Sequence, residues 1–325
     1  MNPLQPFFDK CGFVVLDGGL ASELEQRGAD LNHNLWSARL VVEDPQAIID
    51  VHRAYYEAGA DVATSASYQA SLEGFIAWGA SSEDAERLLT RCVDLAVTAR
   101  DQFWKEHSNV RRVRPLVAAS VGPYGAVIGG GSEYRGHYGL TPHQLRDWHR
   151  PRLRRLIAGG ADLLAIETCP SVMEAEVLAE LLAEEPGVHA WMSFVCRNEK
   201  ETCEGQTIEE AAEVAAAADG VVALGVNCTA PEYIETLLQR MATVTEKPLI
   251  AYPNRGGRWN AEDRVWESNN TSFGQARGSG EDWNAHVAGW YRAGARLIGG
   301  CCRTTPRDIR EISASLEALA RGSPE

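Results

Sequence analysis

Ala58-Gly59-Ala60-Asp61-Val62-Ala63-Thr64 ends a helical pattern with a glycine and then enters a short apolar run. A similar motif recurs at Ala158-Gly159-Gly160-Ala161-Asp162 and at Ala293-Gly294-Ala295-Arg296. Glycine suits the left-handed position that ends a helix, and a small residue lets the next strand pack closely. Each motif therefore predicts a helix that leads into a strand, and the recurrence of the motif predicts a repeated β-α unit.

Eight short β-branched or apolar runs carry this pattern along the whole chain. The predicted strands are 13–16, 61–66, 116–120, 163–166, 190–195, 221–226, 248–252 and 296–298. The predicted helices are 20–27, 45–58, 85–103, 142–158, 173–183, 208–218, 232–241, 283–293 and 309–320.

Eight such units favour an α/β fold, a closed (β/α)₈ TIM barrel, with residues 1–325 as one domain. The alternative is an open doubly wound sheet, which is weakened because no Gly-x-Gly-x-x-Gly turn follows the first strand. Two long connections, 122–139 and 254–281, are expected on the face that carries the active site.

The overall charge excludes some classes of partner. The chain has 325 residues and a formal charge of −14, from 31 basic and 45 acidic side chains. This balance disfavours nucleic acid and anionic membranes, and there is no apolar run of about 18 residues and no signal-peptide pattern. We therefore expect a cytoplasmic protein, a monomer by default with a dimer possible, whose eight cysteines are reduced.

Residues suited to binding or catalysis follow the predicted strands at their carboxyl ends, where a barrel has its active site. They are Asp17, Gly18 and Gly19 after the first strand, Thr64 and Tyr68 at the second, Glu167 at the fourth, Asn227 and Cys228 at the sixth, Tyr252 at the seventh, and Cys301 and Cys302 at the eighth.

Three of these residues are cysteines, and they predict a metal site. Cys301 and Cys302 are adjacent after Gly299-Gly300, and Cys228 follows another apolar strand. Three thiolates favour Zn²⁺, and three protein ligands leave its fourth tetrahedral position open. The other five cysteines lack this arrangement, so a structural role or none is expected for Cys11, Cys92, Cys169, Cys196 and Cys203.

Together these segments resemble the homocysteine S-methyltransferase family. The resemblance rests on Asp17-Gly18-Gly19, Glu167-Thr168, Gly225-Val226-Asn227-Cys228, Tyr252-Pro253-Asn254 and Gly299-Gly300-Cys301-Cys302, and it extends from about residue 11 to residue 318. It implies a (β/α)₈ barrel that holds Zn²⁺ through Cys228, Cys301 and Cys302. It also implies that homocysteine binds the ion through its thiol as fourth ligand and that methionine is the product.

The resemblance extends to substrate binding. It implies that Glu167 accepts the ammonium of homocysteine, while Gly18 and Gly19 open a helix whose unpaired N–H groups suit the carboxylate. Asp17 either orients this loop or touches the substrate, and Asn227 either holds substrate or supports the metal ligands. Thr64 is a further candidate for substrate contact, and aromatic walls for a sulfonium donor are expected from Tyr68, Tyr252, Trp36 and Trp266.

The methyl donor and the reaction itself have alternatives. The short chain resembles the branch that uses S-methylmethionine, with S-adenosylmethionine next, and betaine-type or selenocysteine-type methyltransferases of the same family as alternatives. Outside catalysis, the three thiols also suit a zinc or thiol carrier on a barrel scaffold. A third hypothesis is a redox protein that uses Cys301 and Cys302 as a vicinal disulfide.

Overall fold

A computed structural model describes residues 2–31, 36–108, 112–255, 258–260, 265–267 and 283–322. Residue 36 and the segments 258–260 and 265–267 are described through their backbone alone. The predicted tryptophan walls Trp36 and Trp266 therefore lie outside the described side chains, as does most of the connection 254–281.

Eight parallel strands form one sheet that closes on itself. The sheet has the order β1-β10-β7-β6-β5-β4-β3-β2, and a parallel bridge between Leu16 and Val62 joins its two edges. The strands are β1 Val14–Val15, β2 Val62–Thr64, β3 Leu116–Val121, β4 Leu163–Cys169, β5 Ala190–Phe194, β6 Val221–Asn227, β7 Leu249–Tyr252 and β10 Ala295–Ile298. A separate hairpin pairs β8 Arg258–Asn260 with β9 Val265–Glu267. The predicted (β/α)₈ barrel is confirmed, and the open sheet is wrong.

Helices connect the strands in the predicted alternation. They are α1 Gln5–Cys11, α2 Leu20–Gln26, α3 Leu40–Glu43, α4 Pro45–Ala58, α5 Leu72–Ala77, α6 Ser82–His107, α7 Tyr124–Ile128, α8 Pro142–Ala158, α9 Val172–Ala183, α10 Ile208–Ala217, α11 Pro231–Met241, α12 Trp283–Arg292 and α13 Pro306–Gly322, with 3₁₀ turns at Trp36–Arg39 and Ser132–Tyr134. Within the described residues, no helix is both long and apolar enough to cross a membrane.

All three glycine motifs end a helix as predicted, but they differ in which glycine is left-handed. Gly59 and Gly294 take the left-handed conformation, with φ of 115° and 105°. After α8, however, Gly159 stays helical with φ of −72°, and Gly160 takes the left-handed role with φ of 83°. Gly159 serves packing instead, since a Cβ there would lie 2.6 Å from the Cβ of Val93 on α6.

Alternate residues of each strand build two separate apolar layers. In β4, Leu163 and Ala165 face the barrel interior, whereas Leu164 and Ile166 pack under the surrounding helices. Phe7 of α1 joins the interior cluster, so that α1 covers the amino-terminal end of the barrel. The opposite, carboxyl-terminal end is left for the strand-end side chains that form the site.

Candidate active site

The three predicted thiols meet at the carboxyl ends of β6 and β10. The sulfur atoms of Cys228, Cys301 and Cys302 all lie within 4.8 Å of one another. The sulfurs of Cys228 and Cys301 are in direct contact, with Cα atoms 5.6 Å apart, and Cys302 is free. The structure thus joins residues more than seventy positions apart, and it does not form the vicinal Cys301–Cys302 disulfide of the third hypothesis.

The backbone around the thiols is held in place by the end of β7. Cys228 has a positive φ of 47°, which is uncommon for a residue other than glycine and marks local strain. Its carbonyl accepts a bond of 3.0 Å from Asn254 Nδ2, and its N–H donates to Tyr252 O at 3.2 Å. The N–H of Cys301 donates to Pro253 O at 2.8 Å. Gly300 precedes it because any Cβ there would overlap the Thr304 side chain.

These thiols fit a soft metal ion. Burial raises the pKa of the Cys302 thiol to about 12, so this side chain is protonated at neutral pH unless a cation compensates its charge. Three sulfur donors within coordination reach of a common centre match the ligand set that Zn²⁺ prefers, and one side of the group faces a cavity.

The cavity beside the thiols has a volume of about 130 Å³. It contains most of the predicted substrate-binding side chains and is bordered by residues from seven different strand ends or loops. The predicted residues that line it are Gly18, Gly19, Thr64, Tyr68, Glu167, Cys228, Tyr252, Cys301 and Cys302.

Glu167 sits in this cavity with both carboxylate oxygens engaged. Ser120 Oγ donates to Oε1, and the Tyr252 hydroxyl donates to Oε2 at 3.1 Å. The hydroxyl of Tyr252 in turn accepts from Trp191 Nε1 at 3.1 Å. Burial raises the pKa of Glu167 to about 7, against the lowering effect of these two bonds. The carboxyl group is therefore held in one orientation and titrates near neutrality.

Asp17 orients the first loop and does not line the cavity. Its carboxylate accepts from Thr64 N at 2.8 Å and from Thr64 Oγ1 at 3.0 Å, which ties β1 to β2 at the barrel mouth. Burial raises the pKa of Asp17 to about 8, with the nearby negative charge of Glu167 adding to the shift. These bonds support the orienting role for Asp17, and contact of its side chain with the substrate stays a prediction.

The glycine pair is packed more tightly than the sequence suggests. The N–H of Gly19 donates to Thr304 O at 3.1 Å, so this one N–H is already paired, and binding of the carboxylate at the start of α2 stays a prediction. A Cβ on Gly18 would lie 2.7 Å from Thr304 O, and one on Gly19 would lie 2.7 Å from Cys301 O. The glycines therefore allow the β1 loop to pack directly on the loop that carries two of the thiols.

Asn227 is fully buried, and its amide is bonded to protein at both ends. Oδ1 accepts from Thr168 N and from Ser193 Oγ, each at 2.8 Å, while Nδ2 donates to Thr168 Oγ1 at 2.8 Å. Thr168 itself has a strained φ of 60°. Because Thr168 follows Glu167, the Asn227 amide stabilises the conformation that directs the Glu167 carboxylate into the cavity.

Sequence reasoning missed several residues that shape the site. Arg152 is buried on α8 and donates to four backbone carbonyls at 2.7–2.9 Å, those of Ser67, Tyr68, Ala70 and Gly122. The available signal was a charged residue on the apolar face of a helix, in register with Leu145 and Leu156. Ser120, Glu133 and Tyr134 line the cavity itself, and no individual signal in the sequence marked them beyond the prediction that the connection 122–139 lies on the active-site face.

The comparisons with known proteins agree with this geometry. Residues 14–316 match the family model described as homocysteine S-methyltransferase. The chain is 42% identical over 320 residues to homocysteine S-methyltransferase YbgG of Bacillus subtilis, covering 98% of this chain and 99% of that one. It is 45% identical over 314 residues to a selenocysteine Se-methyltransferase of Brassica oleracea var. italica, covering 94% and 89%.

A solved structure supports the same assignment. The crystal structure of homocysteine methyltransferase MmuM from Escherichia coli, in its metallated form, is 42% identical and superimposes with a TM-score of 0.84 over 96% of this chain and 99% of that one. The matches to the family model, to the two relatives and to the MmuM structure all cover the barrel and its thiol cluster. The chain therefore belongs to the homocysteine S-methyltransferase family.

Proposed function

We propose that this enzyme uses Zn²⁺ to transfer a methyl group from S-methylmethionine to the thiol of homocysteine, giving methionine. The observation that carries the proposal is the placement of three metal-fitting thiols at the wall of a cavity that also contains Glu167. A sulfur nucleophile and an amino-acid ammonium can thus be bound in one small space.

Cys228, Cys301 and Cys302 would hold the ion on one side of the cavity. When the three thiolates bind Zn²⁺, the ion supplies the positive charge that keeps an incoming thiol deprotonated. In the transfer, a carbon–sulfur bond of the sulfonium breaks as a new one forms to the homocysteine sulfur. The donor leaves as a neutral thioether, and the thiol proton passes to solvent, so the protein needs no general acid.

The chain's own residues position the acceptor. Glu167 is held by Ser120 and Tyr252 so that its carboxylate faces the cavity, where it would pair with the ammonium of homocysteine. Asn227 and Asp17 act through other residues, by fixing Thr168 and Thr64. Gly18 and Gly19 line the cavity, and contact with the substrate carboxylate at their backbone stays a prediction, as do contacts with Thr64 and Tyr68.

The charge of the cavity favours a cationic donor. Its described lining includes three carboxylates, Glu25, Glu133 and Glu167, and no lysine or arginine. A sulfonium gains from negative and aromatic surroundings, whereas a polyanionic methyl carrier would be repelled. S-methylmethionine and S-adenosylmethionine both satisfy this condition, and so does betaine.

The acceptor has one specific alternative. The Brassica relative is a selenocysteine Se-methyltransferase, and its 45% identity covers nearly the same residues. A selenolate is as soft as a thiolate and would suit the same thiol-held ion. Selenocysteine is therefore the second candidate acceptor.

A donor and acceptor panel on zinc-loaded protein tests the proposal. We expect methionine formation from homocysteine and S-methylmethionine, with one zinc ion per chain, and loss of both turnover and zinc in Cys302→Ser. Stoichiometric zinc without turnover of any sulfonium donor would instead support the non-catalytic carrier. Faster turnover with selenocysteine than with homocysteine would favour the alternative acceptor.

We further propose that residues 1–325 act as one domain and as a cytoplasmic monomer. One closed sheet contains strands from Val14 to Ile298, which supports a single folding unit. Light scattering of the purified protein checks the oligomeric state, and a mass of twice 35.5 kDa would show a dimer.

A further inference from the structure

Glu133 is a buried carboxylate to which the reaction described above assigns no binding partner. It lies in the 3₁₀ turn Ser132–Tyr134, within the long connection between β3 and α8. Three consecutive glycines precede this turn, and Gly129, Gly130 and Gly131 all have positive φ, between 64° and 76°. This backbone is accessible mainly to glycine, so the local sequence is suited to turn Glu133 inward.

The Glu133 side chain is 5% exposed, and its Oε2 atom accepts no hydrogen bond. An isolated buried carboxylate is costly unless a donor or cation compensates it. Glu167, which lines the same cavity, differs in having a hydroxyl donor on each oxygen. Two residues of the lining have a buried oxygen without a partner, Gln69 and Glu133, and of these only Glu133 carries a charge that a ligand would compensate.

A cation that donates hydrogen bonds would compensate both the charge of this carboxylate and its unpaired oxygen. Among the described residues that line the cavity there is no lysine or arginine, and Arg135, whose positive charge lowers the pKa of Glu133, lies outside this lining. A sulfonium carries charge but no N–H or O–H group, whereas an ammonium has three donors. A free carboxylate oxygen therefore matches an ammonium better than it matches the sulfonium itself.

We propose that Glu133 binds the α-ammonium group of the methyl donor, while Glu167 binds that of homocysteine. The inference rests on the proposed function, since it assigns the second substrate of the same site. It makes the donor a sulfonium amino acid and gives the cavity two ammonium positions, one for each substrate. It also disfavours betaine, whose quaternary nitrogen has no N–H to donate.

Equilibrium binding to zinc-loaded protein without homocysteine tests this assignment directly. The probes are S-methylmethionine and 4-(dimethylsulfonio)butanoate, which is the same sulfonium without the amino group. We expect wild-type protein to prefer S-methylmethionine by about tenfold or more, the size of one charge-assisted pair. Glu133→Gln should lose this preference, and Glu133→Asp should keep part of it.

Two matched variants separate the assignment from general effects. Glu167→Gln removes the other ammonium partner and should keep the donor preference. Glu83→Gln removes a carboxylate whose side chain is 81% exposed on α6, and it should behave as wild type. Circular dichroism establishes that each variant is folded.

Equal binding of the two probes by wild-type protein, or an unchanged preference in folded Glu133→Gln, would overturn the assignment. Loss of the preference in Glu167→Gln instead of Glu133→Gln would overturn it as well. The proposed function fails separately, because a protein that binds S-methylmethionine through Glu133 without producing methionine would refute methyl transfer and leave the binding assignment intact.

Discussion

Replacing Asn227 by leucine is expected to disturb both stability and homocysteine binding. The substitution keeps the side-chain volume approximately but removes three hydrogen bonds, two to Thr168 and one to Ser193, each of 2.8 Å. At about 1 kcal/mol for each buried bond, the free energy of unfolding should fall by about 3 kcal/mol. The Thr168 N–H would be left buried and unpaired, and the strained φ of 60° would lose its main support.

The functional effect follows from the position of Thr168 directly after Glu167. Once Thr168 relaxes toward an ordinary backbone conformation, the Glu167 carboxylate should shift away from the ammonium that it is proposed to bind. Small displacements of a binding group cost about tenfold to a hundredfold, so we expect a KM for homocysteine raised at least tenfold, with zinc content unchanged.

Urea-induced unfolding and steady-state kinetics measure the two effects. Ser193→Ala is the comparison variant, because it removes one of the three bonds and the contact of Ser193 Oγ with the Tyr252 hydroxyl but leaves Thr168 attached to Asn227. It should cost about 1–2 kcal/mol and raise the KM for homocysteine less than Asn227→Leu does. Should Asn227→Leu unfold at the wild-type urea concentration and keep its KM, the reasoning that links Asn227 to Glu167 is refuted.

Three further predictions follow from the same contacts. Cys302→Ala should lose bound metal and activity but keep its circular dichroism spectrum, because the barrel core is built from other residues; a collapsed spectrum would show that the metal is structural. Glu167 must be ionised to bind an ammonium, and burial raises its pKa to about 7. Zinc-loaded protein should therefore bind methionine, the thiol-free product, about tenfold more weakly at about pH 6 than at about pH 8. Calorimetry checks this, and a pH dependence that persists in Glu167→Gln would point to Asp17, whose pKa is about 8. Arg152→Met should lower the free energy of unfolding by about 3 kcal/mol or more, because four buried carbonyls lose their shared donor; chemical denaturation measures it, and a change below about 1 kcal/mol would contradict that role.

Much of the fold could be predicted because strands and helices are encoded locally. The period of the hydrophobic residues and the length of the segment distinguish strand 221–226 from helix 232–241. Glycine ends a helix because it has no Cβ and so adopts a positive φ without strain. The eightfold repeat then leaves few architectures. The need for a glycine at residue 159 could not be read locally, since it comes from close contact with Val93 on the distant helix α6.

The sequence by itself determined the barrel and the identity of the metal-fitting thiols, because strand periodicity, adjacent cysteines and strand-end positions are all properties of short segments. Only the tertiary structure decided which polar residues bond to other protein groups and which remain available in the cavity. Asp17 forms hydrogen bonds with Thr64, and Asn227 forms hydrogen bonds with Thr168. Glu133 is buried in the same cavity as the thiols and has an oxygen without a hydrogen-bond partner. Hydrogen-bond partners and burial depend on groups that are distant in the chain, and no local pattern specifies them.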